Sequence, residues 1–372
     1  MEALRFTGSG KEYFKIWIVN VLLTIITLGI YYPWAKVRNR RYFYANTNLA
    51  DRNFEYHATG KQLFIGFLIG MVFFIIYSVL GQVNPSFAGG FMLIFFLALP
   101  WLVWRSLMFN MRVTSFSNVH FSFKGSLKRA YIIFLGYPAL IFLFITLIGV
   151  VVSVIVPNFS SMESSFENTD KTILIIGAII FGILFLLGYL FFIAFITKNI
   201  KEYFINNSCY GQGTFQTNVE TKTFFIILLK SMGILAIVGL LAFFAIKMGI
   251  SFEIIGIIAY FIAIFAMMAF YVTRERSYLY ENTTLDNKIA FESTLKARDL
   301  TWVMLSNVLL IFFTVGLAFP WAKVRLSRLM LENTLVDTSL GFDEYISKKQ
   351  DEQSALGEQI GEAFDVDVGV AF

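Results

Sequence analysis

Six uninterrupted apolar runs lie between two copies of the hexapeptide Pro-Trp-Ala-Lys-Val-Arg, at Pro33–Arg38 and Pro320–Arg325. No other feature constrains the fold as much. The runs cover residues 63–81, 87–104, 130–156, 172–196, 222–246 and 250–272. Crossing a hydrocarbon core of about 30 Å takes about 20 apolar residues, so each run is a candidate span. Only 15 % of the 372 residues are charged, against about 25 % in soluble chains. This composition excludes a soluble catalytic domain.

Each hexapeptide follows a shorter apolar run, 13–30 or 300–318, that ends in Thr-x-Gly (Thr27-Leu28-Gly29, Thr314-Val315-Gly316). A shift of 287 aligns residues 20–47 with 307–334 without a gap. Asn20, Arg41, Asn46 and Thr47 then meet Asn307, Arg328, Asn333 and Thr334. A match of this length reads as duplication. A fainter pattern runs through the middle, with a basic residue five positions before an Asn: Arg41/Asn46, Arg105/Asn110, Lys201/Asn206 and Arg328/Asn333, and a looser copy at Arg276 and Asn282. A Phe follows each, at Phe54, Phe121, Phe215, Phe291 and Phe342.

The pattern predicts an all-α polytopic membrane protein of five units, residues 6–53, 54–120, 121–214, 215–290 and 291–342, with an acidic cytoplasmic tail at 343–372. Units two to four are transmembrane helical hairpins. Each unit begins with a short polar cytoplasmic lead-in segment of extended, β-like character.

Basic residues sort the loops. The stretches 34–61, 105–129, 197–222 and 273–299 hold 19 Lys and Arg, while the alternate loops hold Lys171 and Lys247. Short Lys/Arg-rich loops stay in the cytoplasm. If 13–30 and 300–318 also cross, there are eight spans and the two hexapeptides face opposite sides, an inverted arrangement. If both dip in and return, 27 of the 30 basic residues are cytoplasmic. A proline at the first position of a restarted helix suits such a return, and this arrangement is favoured.

Pro33, Trp34, Lys36, Arg38 and Arg41, with Pro320, Trp321, Lys323, Arg325 and Arg328, read as basic and aromatic membrane-surface elements reaching anionic lipid headgroups. The alternative is an anionic-ligand site built where the two copies meet. Asn20 and Asn307 lie in matching apolar runs and suit interhelical hydrogen bonds or the lining of a polar path. Lys230 sits about 12 Å into its run, as a pathway residue or one snorkelling to the surface. His57 and His120 read as solvated loop residues.

No phosphate-cradling glycine loop, H-E-x-x-H or nucleophile elbow occurs. No catalytic residue, cofactor, metal site or nucleic-acid partner is therefore expected. Cys209 is the only cysteine, which rules out an intrachain disulfide. The tail carries eight acidic residues and two lysines, and Leu356, Ile360, Ala363 and Phe364 form an apolar face at helical spacing. It is expected to dock on the protein's own basic face, or to bind a second copy or another protein.

The opening Phe-Thr-Gly-Ser-Gly-Lys-Glu-Tyr-Phe, the stretch Thr-Leu-Gly-Ile-Tyr-Tyr-Pro-Trp-Ala-Lys-Val-Arg and Asn46-Thr47 resemble the bacterial YjgN-like family. The likeness runs across nearly the whole chain. It implies a multi-pass protein of the bacterial inner membrane, in a family of unknown function, so no catalytic residue carries over. The residues themselves favour a transporter or channel for a small solute, an anion being suited to the basic face. The alternative is a non-enzymatic membrane scaffold or lipid- and protein-interaction protein.

Overall fold

The computed structural model describes residues 1–162, 168–248, 253–339 and 341–361, with side chains except at 151–162, 168–175, 246, 253–254 and 353–361. Among the described residues, eleven short strands form one antiparallel sheet. They are β1 (Glu2–Ala3), β2 (Arg5–Phe6), β3 (Thr47–Leu49), β4 (Arg52–Tyr56), β5 (Thr114–Phe116), β6 (Val119–Phe123), β7 (Ser208–Tyr210), β8 (Gly213–Thr217), β9 (Thr283–Leu285), β10 (Ile289–Ser293) and β11 (Thr334–Val336). The order runs β1-β11-β10-β9-β8-β7-β6-β5-β4-β3-β2. Its two ends are halves of one segment, residues 2–6, and between them the Leu4 amide donates to the Thr334 carbonyl at 3.0 Å. The sheet therefore closes on itself as a barrel, which removes both edges.

A period of two puts alternate side chains inside. In the short strands the third residue (Leu49, Phe116, Tyr210, Leu285, Val336) joins one buried cluster with Leu4, Val119 and Ile289. The β-hairpins turn tightly. Ala50-Asp51, Ser117-Asn118 and Asp286-Asn287 all take positive φ, the left-handed pair that matches strand twist in a hairpin.

From the opposite rim rise, among the described residues, five helical hairpins. They are α1 (Gly10–Ile26) with α2 (Tyr32–Ala45), and α3 (Gly60–Val83) with α4 (Pro85–Arg112). Next come α5 (Leu127–Tyr131), a π-helical turn at Ile132–Gly136 and α6 (Tyr137–Met162), paired with α7 (Asn168–Asn206). The last are α8 (Thr221–Lys247) with α9 (Glu253–Glu281), and α10 (Ala297–Phe313) with α11 (Phe319–Glu332). Every hairpin leaves one strand and returns to the strand hydrogen-bonded beside it. Among the described residues, six helices are long and apolar enough to cross a membrane, and they belong to the three central hairpins.

The two short hairpins turn back. α1 and α10 have 17 residues each, about 26 Å at 1.5 Å per residue. The chain then reverses at Leu28-Gly29 and Val315-Gly316, all with positive φ. Both hexapeptides therefore stand on the same side of the sheet, and the arrangement in which they face opposite sides does not hold.

Two sequence expectations need correction. The chain is not all-α, because the lead-in segments are staves of a closed barrel rather than isolated extended pieces. Phe54, Phe121, Phe215 and Phe291 each fall third in a five-residue stave, but Phe342 opens a helix, and Leu4 holds the matching place in residues 2–6.

That last helix, α12 (Phe342–Gly361), stops the barrel mouth remote from the membrane helices. Phe342 and Ile346 enter the buried cluster, with Tyr345 packed against it. Three different β-hairpins hold it: Arg52 pairs with Asp343 at 3.1 Å, Gln350 donates to the Ser117 carbonyl at 2.6 Å, and Lys349 lies 3.4 Å from Asp286. The anchor is thus Phe342, Tyr345, Ile346 and Lys349, spaced along one helical face. Ala363, Phe364 and the side chains of Leu356 and Ile360 lie outside the described residues. The charge pattern is mixed, since a tail lysine meets a barrel aspartate.

Candidate functional site: an axial chamber and a cationic groove

Helix ends are fixed to the barrel rim by one recurring bond. The hydroxyls of Thr47, Thr114, Ser208, Thr283 and Thr334 donate to the carbonyls of Phe43, Asn110, Phe204, Leu279 and Met330 at 2.6–2.9 Å. Each hydroxyl opens a strand and satisfies a last-turn carbonyl left over from the helix before it. The last turns of α2, α4, α7, α9 and α11 are thereby gathered around the barrel axis.

Between them lies a chamber of about 720 Å³. Phe54, Phe121, Phe215 and Phe291 line it from the staves, with ring centroids 6.5 Å apart for Phe121–Phe215 and 5.9 Å for Phe215–Phe291. In its wall Lys201 pairs with Glu275 at 3.2 Å. Arg276 donates to Ser293 Oγ at 3.2 Å, to the Met330 carbonyl at 3.0 Å and to the Thr334 hydroxyl. The chamber is aromatic at its floor and charged in its wall.

A second cavity, about 570 Å³, runs between α1 and α2. Lys36 and Lys323, the same position in the two hexapeptide copies, both line it, together with Arg40. Asn20, only 3 % exposed, donates from Nδ2 to Asn39 Oδ1 at 3.0 Å, while its own Oδ1 is buried without a hydrogen-bond partner. Lys323 Nζ donates to the Tyr13 hydroxyl at 3.2 Å and sits 4.6 Å from the Phe43 ring centroid, a cation–π contact. Arg40 donates to the Tyr56 hydroxyl at 2.8 Å and to Asn110 Oδ1. Asn110 lines the chamber, so this guanidinium links groove and chamber.

The other residues singled out in the sequence have definite places. Pro33 and Pro320 are buried in the first turns of α2 and α11. Trp34 lies over Gly60 and Trp321 over Gly10. Arg41 donates to the Ala58 carbonyl at 2.8 Å, and Arg328 to the Gly8 carbonyl at 2.9 Å. Each hexapeptide unit therefore clamps the start of the next hairpin around the ring. Asn307 donates to the Ala322 carbonyl at 3.0 Å and accepts from Arg325 at 3.1 Å, tying α10 to α11. Lys36, Arg38 and Lys230 are exposed, Lys230 on α8.

His57 is an exposed loop residue just past β4, whereas His120 is a half-buried strand residue of β6. The two lie on either side of β5; their ring centroids are 5.0 Å apart, and His57 Nε2 lies 2.6 Å from Ser115 Oγ of β5. Among the described residues no group of three His, Cys, Asp or Glu is placed to hold a metal ion. Sequence reasoning missed the Lys201–Glu275 pair. Its signal was an acid set between two arginines, Arg274-Glu275-Arg276, two turns before the end of α9.

The model of a family described as "Bacterial protein of unknown function (DUF898)" matches residues 1–363. Among curated relatives, "Inner membrane protein YjgN" of Salmonella typhimurium (strain LT2) is 29 % identical, covering 91 % of this chain and 89 % of the relative. Proteins of the same name from Escherichia coli O157:H7 and Escherichia coli (strain K12) are each 26 % identical, covering 93 % of this chain and 91 % of the relative. No solved structure matches. With six helices able to span and relatives named for the inner membrane, the chain is a multi-pass inner-membrane protein and belongs to the DUF898 family of bacterial proteins of unknown function.

Proposed function

We propose that this protein carries a small anionic solute across the inner membrane by way of the axial chamber. The observation that supports this reading is the chamber's position, on the axis where the last turns of all five helical hairpins converge. Lys201 and Arg276 outnumber the one carboxylate, Glu275, in its lining. Ionisable groups where spanning helices converge are functional candidates. The five junctions with their recurring hydroxyl bond are copies of one unit, so the chamber is a product of repetition. The sheet lies on the cytoplasmic side, following the distribution of basic loops. In this scheme α12 and the phenylalanines close the cytoplasmic mouth, and solute leaves when α12 lifts.

Flux into proteoliposomes tests the reading, with chloride, inorganic phosphate and acetate as separate probes. Protein-dependent flux of at least one anion is expected, and Lys201→Ala with Glu275→Ala should change its rate at least tenfold. Absence of flux for all three, or flux untouched by the double variant, defeats the proposal and leaves the scaffold reading, which draws on the exposed apolar tips at Leu28 and Val315.

A further inference from the structure

We infer that the groove between α1 and α2 binds the headgroup of an anionic phospholipid whose phosphodiester carries a hydroxylated substituent. This site lies beside the axial chamber, with which it shares Tyr44, and its occupancy does not depend on solute transport.

Charge comes first. Lys36, Arg40 and Lys323 line one groove, and its lining among the described residues includes no Asp or Glu. Cations gathered at a partly apolar site are costly unless an anion joins them. Lys36 is exposed, and its ammonium is a compact cation of the kind that binds phosphate as a point charge. The second observation is Asn20. Asn20 belongs to the groove lining, its amide is nine-tenths buried, and its oxygen has no donor to meet it. A phosphodiester, ionised at neutral pH, supplies no donor of its own. A glycerol headgroup does, through its hydroxyls.

Depth selects a lipid over a free ion. The hairpin tips beside the groove are apolar and exposed: Leu28 is 93 % exposed and Val315 91 %, with Ile26, Phe312 and Phe313 alongside. Such tips are built to enter acyl chains. Lys36 lies four residues into α2 from Tyr32, about 6 Å along the axis, and so falls at headgroup depth when the tip is immersed. Within the same groove Trp17, Val21 and Ile25 give an acyl chain an apolar wall. The two copies of Pro-Trp-Ala-Lys-Val-Arg thus each contribute one lysine to a single amphiphilic site.

The test uses the full chain in detergent and dioctanoyl phosphatidylglycerol as the probe, with retention read by native mass spectrometry. Saturable binding of one lipid is expected. Lys36→Gln together with Lys323→Gln should weaken it at least tenfold, and Lys36→Gln alone at least threefold. The single variant matters because Lys36 is surface-exposed and its loss leaves the fold intact. Lys230→Gln, on the outer face of α8, should bind as the unaltered chain does. Dioctanoylglycerol, which lacks phosphate, should not be retained. Equal binding by the unaltered chain and both groove variants would overturn the inference. Displacement of the lipid by inorganic phosphate at equal concentration would assign the groove to the free ion and overturn it as well.

Discussion

Gly60 lies against the root of the Trp34 indole, where a Cβ would come within 2.2 Å of Cδ1 and 2.5 Å of Cγ; Gly10 stands in the same relation to Trp321, at 2.3 Å from Cδ1. Both contacts join the Pro-Trp element of one hairpin to the first turn of the next. Gly60→Ala should therefore expel the indole, at about 1–3 kcal/mol, the range for overpacking. A lower Tm of the purified protein reads the effect. Trp34→Ala should make Gly60→Ala nearly neutral, because neighbours in contact are not additive. Full additivity would mean that the two residues do not touch.

Docking of α12 should depend on pH at both extremes. Burial alone would raise the pKa of Asp286, but the Thr214 amide, the Tyr345 hydroxyl and the Lys349 ammonium together hold it below its ordinary 3.8. A depressed carboxylate stabilises the docked state above its undocked pKa and loses that contribution as pH falls through the docked value, hence below pH 3.8. Tyr345 shifts the other way, raised above its ordinary 10.0 by burial and then by its bond to Asp286. Its contribution is complete below pH 10 and fades as pH rises further. Fluorophore anisotropy at Ser347→Cys in a Cys209→Ser background should be high between these limits and fall outside them. Asp286→Asn should weaken docking by about 1.5–3 kcal/mol, the value of hydrogen bonds to a charged acceptor, and remove the acid-side fall.

At the rim, Thr283→Val keeps the side chain's shape and removes its bond to the Leu279 carbonyl. The cost should be about 1 kcal/mol in stability, recovered in Thr283→Ser. An unchanged Tm in the valine variant would show that the junction bond contributes nothing.

Among the described residues, β1 lies in the barrel wall and α12 in its mouth. Reporter fusions at residues 1 and 372 should accordingly both give cytoplasmic signals. Periplasmic signals at both ends would mean that the sheet faces outward.

Much of this architecture was legible where residues are long in pattern. Six spans follow from six apolar runs, and the returning hairpins from Thr-x-Gly followed by Pro. The barrel was not, because staves of three to five residues are too short for a period of two to stand out. Register suffered too. The residue just before each short strand is Asn46, Val113, Asn207, Asn282 and Asn333, so the pattern through Asn110 and Asn206 runs out of step by three residues and by one. Phe54, Phe121, Phe215 and Phe291 recur visibly, yet only the closed ring turns them into a floor. Lys36 and Lys323 lie 287 positions apart, and nothing local says that they share a groove. That meeting depends on residues 2–6 pairing with both β3 and β11.

Ring closure is therefore the relationship to test first. Ala3 faces Leu335 across β1 and β11. Facing residues in antiparallel strands lie about 4.5–5.5 Å apart at Cα, within the about 4.4–6.8 Å that a disulfide spans. In a Cys209→Ser background, Ala3→Cys with Leu335→Cys should form a disulfide on mild oxidation, seen as a faster-migrating band that reverts on reduction. If that pair stays unjoined while Ala290→Cys with Thr284→Cys, facing residues within one β-hairpin, cross-links under the same conditions, the barrel is open and the two hexapeptides do not meet.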